Sequence, residues 1–233
     1  MFLEILNNEL YKLNKNDYKK EFSIQLGYSG GLDSSCLLDA LIKYKKDNNL
    51  KLFVTYVNYN TSIYSTKVLE MLKNLPNDIV ISIFDARIDS SSNFESSARE
   101  VRYSYFDKIQ KKYNINYTFT AHHFNDQIET ILMKFIDNSD PIGMQGIRKQ
   151  VGKIYRPILK VTKEDLFKYS KMNSIKYLED PTNQDISFRR NKVRKILIPT
   201  LKKDSFLMNK LIRINEKSIK KINEIKKDIN KAM

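Results

Sequence analysis

Two glycines between hydroxyl side chains, followed closely by a carboxylate, form the first chemically suggestive string of the chain. It runs Gly27, Tyr28, Ser29, Gly30, Gly31, Leu32, Asp33, Ser34, Ser35. Gly30 and Gly31 let the backbone approach phosphate oxygens closely and adopt positive φ. Ser29 and Ser34 add hydroxyl donors. Asp33 opens a predicted helix, whose free N–H groups and positive dipole end face the same point. Asp33 would repel bare phosphate, so its place there makes sense as a partner of Mg2+. No lysine follows the glycines, so this is not a Walker loop.

A second string holds both histidines of the chain, His122 and His123, ahead of Asn125, Asp126, Gln127, Glu129 and Thr130. On a helix Asp126 and Glu129 share a face, being three residues apart. Such a cluster can hold an ammonium group, bind Mg2+ or accept a proton. A capping role stands beside it: Asn125 suits an N-cap and Asp126 a first turn.

Arginine is scarce, and six of the nine fall in three short segments: Arg99 and Arg102; Arg156; and Arg189, Arg190 and Arg194. Arg99 and Arg102 share a helical face beside Tyr103. Phe188 to Arg194 places four basic residues, Lys192 among them, within six positions at the start of a helix. The guanidinium fork suits phosphate, and a basic run beside an aromatic suits a nucleic-acid backbone. An ordinary solvated basic face is the alternative.

These strings need elements to position them. Strands are predicted at 22–26, 52–57, 79–84 and 117–121, with a fifth at 175–178. Helices are predicted at 3–20, 33–46, 65–74, 97–113, 125–136 and 163–172. This alternation implies an α/β fold, a Rossmann-like parallel sheet with helices on both faces, in which ligands bind beyond the carboxyl ends of the strands. From Ser205 onward, Leu207, Leu211, Ile214, Ser218, Ile222, Ile225 and Ile229 make one stripe on a long helix. That stripe suits packing on the core, a homodimer contact or the stub of a further domain. The expected division is a catalytic domain over 1–185 and a helical C-terminal extension over 186–233.

With 233 residues, 41% of them hydrophobic, the chain can bury one substantial core. A single cysteine, Cys36, excludes an intramolecular disulfide, and spaced Cys/His zinc ligands are missing. We expect Cys36 to be a core residue. No signal-peptide pattern and no apolar run of membrane-spanning length is present, so a cytoplasmic protein without a membrane partner is expected. The net charge of +14 favours a polyanionic partner, although solvated lysines would also produce it.

Residues 29–34 resemble the PP-loop of the ATP-pyrophosphatase superfamily. Residues 120–130 are similar to the histidine-carboxylate motif of the tRNA(Ile)-lysidine synthetase family. Its further motifs are matched in order by Ala98, Arg99, Arg102 and Tyr103, by Arg156 to Leu159, and by Glu179 to Arg194. The chain thus resembles that family, in a short form lacking its C-terminal domains. The resemblance implies ATP and Mg2+ at Ser29, Gly30, Gly31, Leu32, Asp33 and Ser34, with cleavage to AMP and pyrophosphate. It implies lysine binding by His122, His123, Asp126 and Glu129, with Asp33, Asp126 and Glu129 catalytic. Arg99, Arg102, Arg189, Arg190, Asn191 and Arg194 would position tRNA phosphates. The implied partners are free L-lysine and an isoleucine tRNA with a CAU anticodon, joined through an adenylated intermediate to give lysidine. Two positions depart from the family pattern: Asn125, where a second aspartate is common, and Tyr59, where a histidine is. Another PP-loop ligase, or a non-enzymatic nucleotide- or tRNA-binding module, are the competing readings.

Overall fold

The structure is a computed structural model that describes residues 1–16, 22–59, 63–86, 94–140, 143–179, 185 and 189–232. Phe188 and the turn-like segment 180–184 lie outside these. The chain divides into two compact units, one of Met1–His123 with Lys149–Asp180, the other of Phe124–Arg148 with Pro181–Met233.

The first unit carries a six-stranded sheet in the order β3-β2-β1-β4-β6-β5. Its strands are β1 (Phe22–Tyr28), β2 (Leu50–Asn58), β3 (Val80–Asp85), β4 (Tyr117–Thr120), β5 (Gln150–Val151) and β6 (Ile154–Tyr155). All neighbours pair in parallel except β5 with β6. The helices are α1 (Phe2–Asn16), α2 (Leu32–Asp47), α3 (Ile63–Lys73), α4 (Phe94–Lys112) and α6 (Lys163–Met172).

Side-chain alternation explains the layers. Phe22, Ile24, Leu26 and Tyr28 of β1 and Leu50, Leu52, Val54 and Tyr56 of β2 enter one core with residues of α1, α2, α3 and α6. Phe53 of β2 points the other way and packs with Ile109 of α4 and with Ile115. Beneath α4 the alternate residues are polar and paired. Gln25 donates to Thr55 Oγ1 at 2.8 Å, Thr118 donates to Gln25 Oε1 at 2.9 Å, and Gln110 donates to Thr118 Oγ1 at 3.0 Å. Pairing removes the desolvation cost that these groups would otherwise carry. A Cβ at Gly27 would stand 2.4 Å from the Phe106 ring, so only glycine lets α4 approach β1 this closely.

The expected strand at 175–178 is not one. Ile175, Tyr177 and Leu178 pack on the main core, and the place beside β4 is taken by β6. Apolar alternation there reflects burial of an irregular segment. Cys36 is the core residue expected: fully buried, with its Sγ donating to Leu166 O. Burial and then the nearby Asp33 and Asp39 carboxylates push its thiol up to about 12.

The second unit is helical: α5 (Phe124–Ile136), α7 (Arg189–Lys192), a π-turn (Val193–Leu197), α8 (Ile198–Lys202) and α9 (Ser205–Ala232). Ile128 and Leu132 of α5 pack with Val193, Ile198, Met208, Leu211 and Ile212. Gln127 is buried and pins the neighbouring turn: Ile147 N donates to its Oε1 at 2.6 Å, and its Nε2 donates to Gln145 O at 3.3 Å. Asn215 of α9 donates to Met144 O at 2.9 Å in the same network. Along α9, Asn215 and the stripe residue Ser218 are buried, while Leu207 and Ile225 of the stripe are exposed. No helix among the described residues is long and apolar enough to cross a membrane.

Candidate functional site

From β1 the chain moves outward to β2 and β3 and then returns to β4 on the other side of β1. The carboxyl ends of β1 and β4 therefore flank a topological switch, where crevices open in such sheets. The glycine loop follows β1, and His122 and His123 follow β4. Sheet order alone brings the loop and these two histidines to the same end of the sheet.

The loop is held from several sides. Gly30 has φ +82°, and an added Cβ would meet Val68 at 2.5 Å. Tyr64 of α3 donates to Ser29 O at 2.9 Å, and Leu178 N donates to Gly30 O at 2.9 Å. The Ser29 and Ser34 hydroxyls lie 3.0 Å apart, and Ser29 N donates to Ser34 Oγ at 3.2 Å. Ser29 and Ser34 thus face one another across the two glycines, at the N-terminus of α2.

Asp33, in the first turn of α2, is met by two side chains from distant sequence. Lys163 Nζ donates to its two oxygens at 2.7 and 3.0 Å. His123 Nε2 lies 3.5 Å from Oδ2. Burial by itself would raise the Asp33 carboxyl, but hydrogen bonding and charge from His123, then from Lys163, outweigh it and hold it below the ordinary carboxylate range. His123 is 4% exposed. His122 turns aside, with Nδ1 2.9 Å from Thr120 Oγ1. Lys163 escaped sequence reasoning because a lysine at a helix start has nothing to distinguish it. Its position just after the Arg156 to Leu159 segment was the only pointer.

Among the described residues there is no group of three or more His, Cys, Asp or Glu able to hold a metal. Mg2+ needs no such cage, because it commonly takes one or two carboxylates together with substrate phosphates. Asp33 is such a carboxylate beside the loop, with Lys163 donating to both its oxygens.

Beside the same sheet edge, three arginines gather around two tyrosines. Tyr59, directly after β2, donates its hydroxyl to Ala98 O at 2.8 Å, and Arg102 Nε donates to that hydroxyl at 3.3 Å. The Arg99 guanidinium sits 4.7 Å over the Tyr103 ring. Arg156, buried at the end of β6, donates to Tyr103 Oη at 3.4 Å. The residue standing where the family pattern has histidine is thus the anchor of Arg102.

In the helical unit the carboxylates and the basic segment come together. Glu129, with its side chain 2% exposed, accepts from Arg194 Nε at 2.6 Å, from Arg194 Nη2 at 3.0 Å and from Arg190 Nε at 2.8 Å. Asp126 Oδ1 accepts from Arg190 Nη2 at 3.2 Å and lies 3.9 Å from Arg194. Arg189 pairs with Asp137. Asn191 is buried and donates to Asp185 O at 2.8 Å, which fixes the start of α7. Sequence alone had no means of pairing residues more than sixty positions apart.

A parallel sheet with this loop at its switch point is the architecture of a nucleotide-binding α/β enzyme. Residues 3–201 match the PP-loop domain model, and the chain belongs to that family. Curated proteins similar to it include the tRNA(Ile)-lysidine synthase of Treponema denticola, 33% identical over 190 residues, covering 76% of this chain and 41% of that protein. The tRNA(Ile)-lysidine synthase of Lactococcus lactis is 32% identical over 224 residues, covering 94% of this chain and 50% of its own length. The chain therefore spans about half the length, or less, of these relatives. In fold it is similar to the U34-tRNA thiolase NcsA of Methanococcus maripaludis, with a TM-score of 0.71 at 18% identity over 91% of this chain and 78% of that one. An NH3-dependent NAD synthetase of Campylobacter jejuni aligns with a TM-score of 0.53 at 14% identity, covering 94% of this chain and 95% of that one.

Proposed function

We propose that the chain joins free L-lysine to C2 of the wobble cytidine in an isoleucine tRNA with a CAU anticodon, consuming ATP. The observation that carries this reading is the glycine loop with Asp33 at the β1–β4 switch. The names of the similar curated proteins supply the choice of substrate.

On this reading residues 1–185 form the catalytic domain and 186–233 a helical extension. Ser29, Gly30, Gly31, Leu32, Asp33 and Ser34 hold the triphosphate through backbone N–H groups and hydroxyls. Mg2+ on Asp33 would neutralise charge on the phosphates. The cytidine O2 attacks the α-phosphate, its bond to phosphorus forms as the α–β bridge breaks, and pyrophosphate leaves. The adenylated C2 is then attacked by the lysine ε-amine, and AMP departs. The ε-amine must first shed a proton. Both Glu129 oxygens are engaged by guanidinium groups at 3.0 Å or less, whereas Asp126 meets the same groups at 3.2 and 3.9 Å. The acceptor is a carboxylate of this pair, Asp126 or Glu129. By the family resemblance, His122 and His123 contribute to lysine binding. Arg99 and Arg102, seated on tyrosines, take RNA phosphates, with Arg189, Arg190, Asn191 and Arg194 serving the same backbone.

The test is mass spectrometry of nucleosides from bacterial tRNA incubated with the protein, ATP and labelled lysine. Labelled lysidine, together with pyrophosphate release that needs both lysine and tRNA, is expected. Release that needs ammonia or a sulfur donor instead would mark another PP-loop ligase. Nucleotide or tRNA binding without any release would mark a non-enzymatic module.

A further inference from the structure

We propose that Lys163 supplies the glycine loop with the lysine its own sequence lacks, and that its ammonium, held in place by Asp33, binds the pyrophosphate end of the nucleotide. The inference rests on the nucleotide-site reading given above.

Residues 27–35 contain no basic side chain, yet the ligand they are to hold is a polyanion. The only charge the loop itself brings is the Asp33 carboxylate, which repels phosphate. Lys163 lies 130 residues further on, and its Nζ rests on both Asp33 oxygens at 2.7 and 3.0 Å. Asp33 stands in the first turn of α2, where free N–H groups and the positive helix end already favour an anion. The carboxylate thus carries an ammonium to the rim of the anion site. An ammonium has three donors, so it can keep a bond to Asp33 and offer another to a phosphate oxygen.

The backbone of Lys163 is fixed by its helix. It is the first residue of α6, whose N-cap Thr162 accepts from Asp165 N at 3.1 Å. Leu166, one turn on, is fully buried and accepts from Cys36 of α2. The side chain itself remains 43% exposed, so it can reorient by bond rotations without disturbing the core.

A purely structural role, in which Lys163 does no more than cancel Asp33, makes a different prediction. Pyrophosphate binding to the full chain would be measured by calorimetry in chelator-treated buffer, with AMP as a ligand that lacks the pyrophosphate. Lys163→Met should weaken pyrophosphate binding by about tenfold or more, as expected for loss of a charge-assisted hydrogen bond. Its effect on AMP should stay below about twofold, and Lys163→Arg should hold pyrophosphate within about threefold of the parent. Asp33→Asn/Lys163→Met should be as weak as Lys163→Met. Recovery of parental affinity in the double variant would overturn the proposal and leave only charge cancellation. So would unchanged binding in Lys163→Met. If Lys163→Met does not fold, Lys163→Gln is measured in its place against the same two outcomes. A parent chain that binds neither pyrophosphate nor AMP would strike down the nucleotide-site reading itself, and the inference with it.

Discussion

Arg194 grips Glu129 with two parallel N–H donors, Nε to Oε1 at 2.6 Å and Nη2 to Oε2 at 3.0 Å. This fork is a geometry that lysine cannot reproduce. Because the Glu129 side chain is nearly inaccessible, losing the fork leaves a buried carboxylate with Arg190 as its remaining guanidinium. Arg194→Met should therefore lower unfolding free energy by about 2 kcal/mol. A double-mutant cycle with Glu129→Gln should give a coupling of about 1–3 kcal/mol. Urea denaturation of the four proteins measures it, and additive effects would show that the fork contributes no more than an exposed ion pair.

Gly30 and Gly31 are adjacent, yet their substitutions should separate folding from binding. Gly30 has positive φ and faces Val68 at 2.5 Å from an added Cβ. Gly30→Ala should cost about 2 kcal/mol or more of stability, from backbone strain and overlap together. Gly31 has φ −78°, and its added Cβ would meet Ser29 Oγ at 3.5 Å, an ordinary contact. Gly31→Ala should keep its melting behaviour and lose pyrophosphate affinity, because the methyl group occupies the line of approach to the backbone. Parallel denaturation and calorimetry decide. Equal stability losses in both would mean that backbone conformation does not distinguish the two positions.

Tyr59 anchors Arg102 through its hydroxyl, at 3.3 Å from Nε, and ties itself to α4 through Ala98 O. If Arg102 serves an RNA phosphate, Arg102→Ala should weaken tRNA binding at every sequence and reduce the slope of log affinity against log salt by about one. Tyr59→Phe should weaken binding by only about two- to fivefold with the slope unchanged, since the charge remains but is less well oriented. Fluorescence anisotropy across a salt series reads both quantities. An unchanged slope in Arg102→Ala would remove that arginine from the RNA interface.

What the sequence made legible were elements with strong local signals. The alternation of β1 and the apolar run of β2 mark these strands, and the glycine string sits where a strand gives way to a helix. The two-residue strands β5 and β6 are too short to show a period, and the alternation at 175–178 arose from core packing without a ladder. The partners of Asp33 and Glu129 come from 130 and from more than 60 residues away. No local pattern encodes such pairings. They exist only once the sheet order and the helical unit have formed.

The environment of Asp33 also fixes the direction in which acid acts on stability. Its carboxyl is held below the ordinary range in the folded chain, so the unfolded chain binds the proton more readily. The stabilisation is therefore complete above the unfolded value of about 4 and is lost as pH falls below it, through the folded value. Glu9, buried on α1 and held down by Lys149 and Tyr155 after its burial cost is overcome, acts in the same sense. In Asp33→Asn, unfolding free energy should fall less steeply on acidification from about pH 5 to pH 3 than in the parent, with Glu9→Gln as a second, independent reduction. Lys163→Met should also flatten the acid limb, because one of the two side chains that depress the carboxyl is gone. Urea midpoints across that range measure each slope. A limb as steep in Asp33→Asn as in the parent would mean that the proton taken up on unfolding goes elsewhere, and that the Lys163 and His123 contacts do not set the charge of this loop.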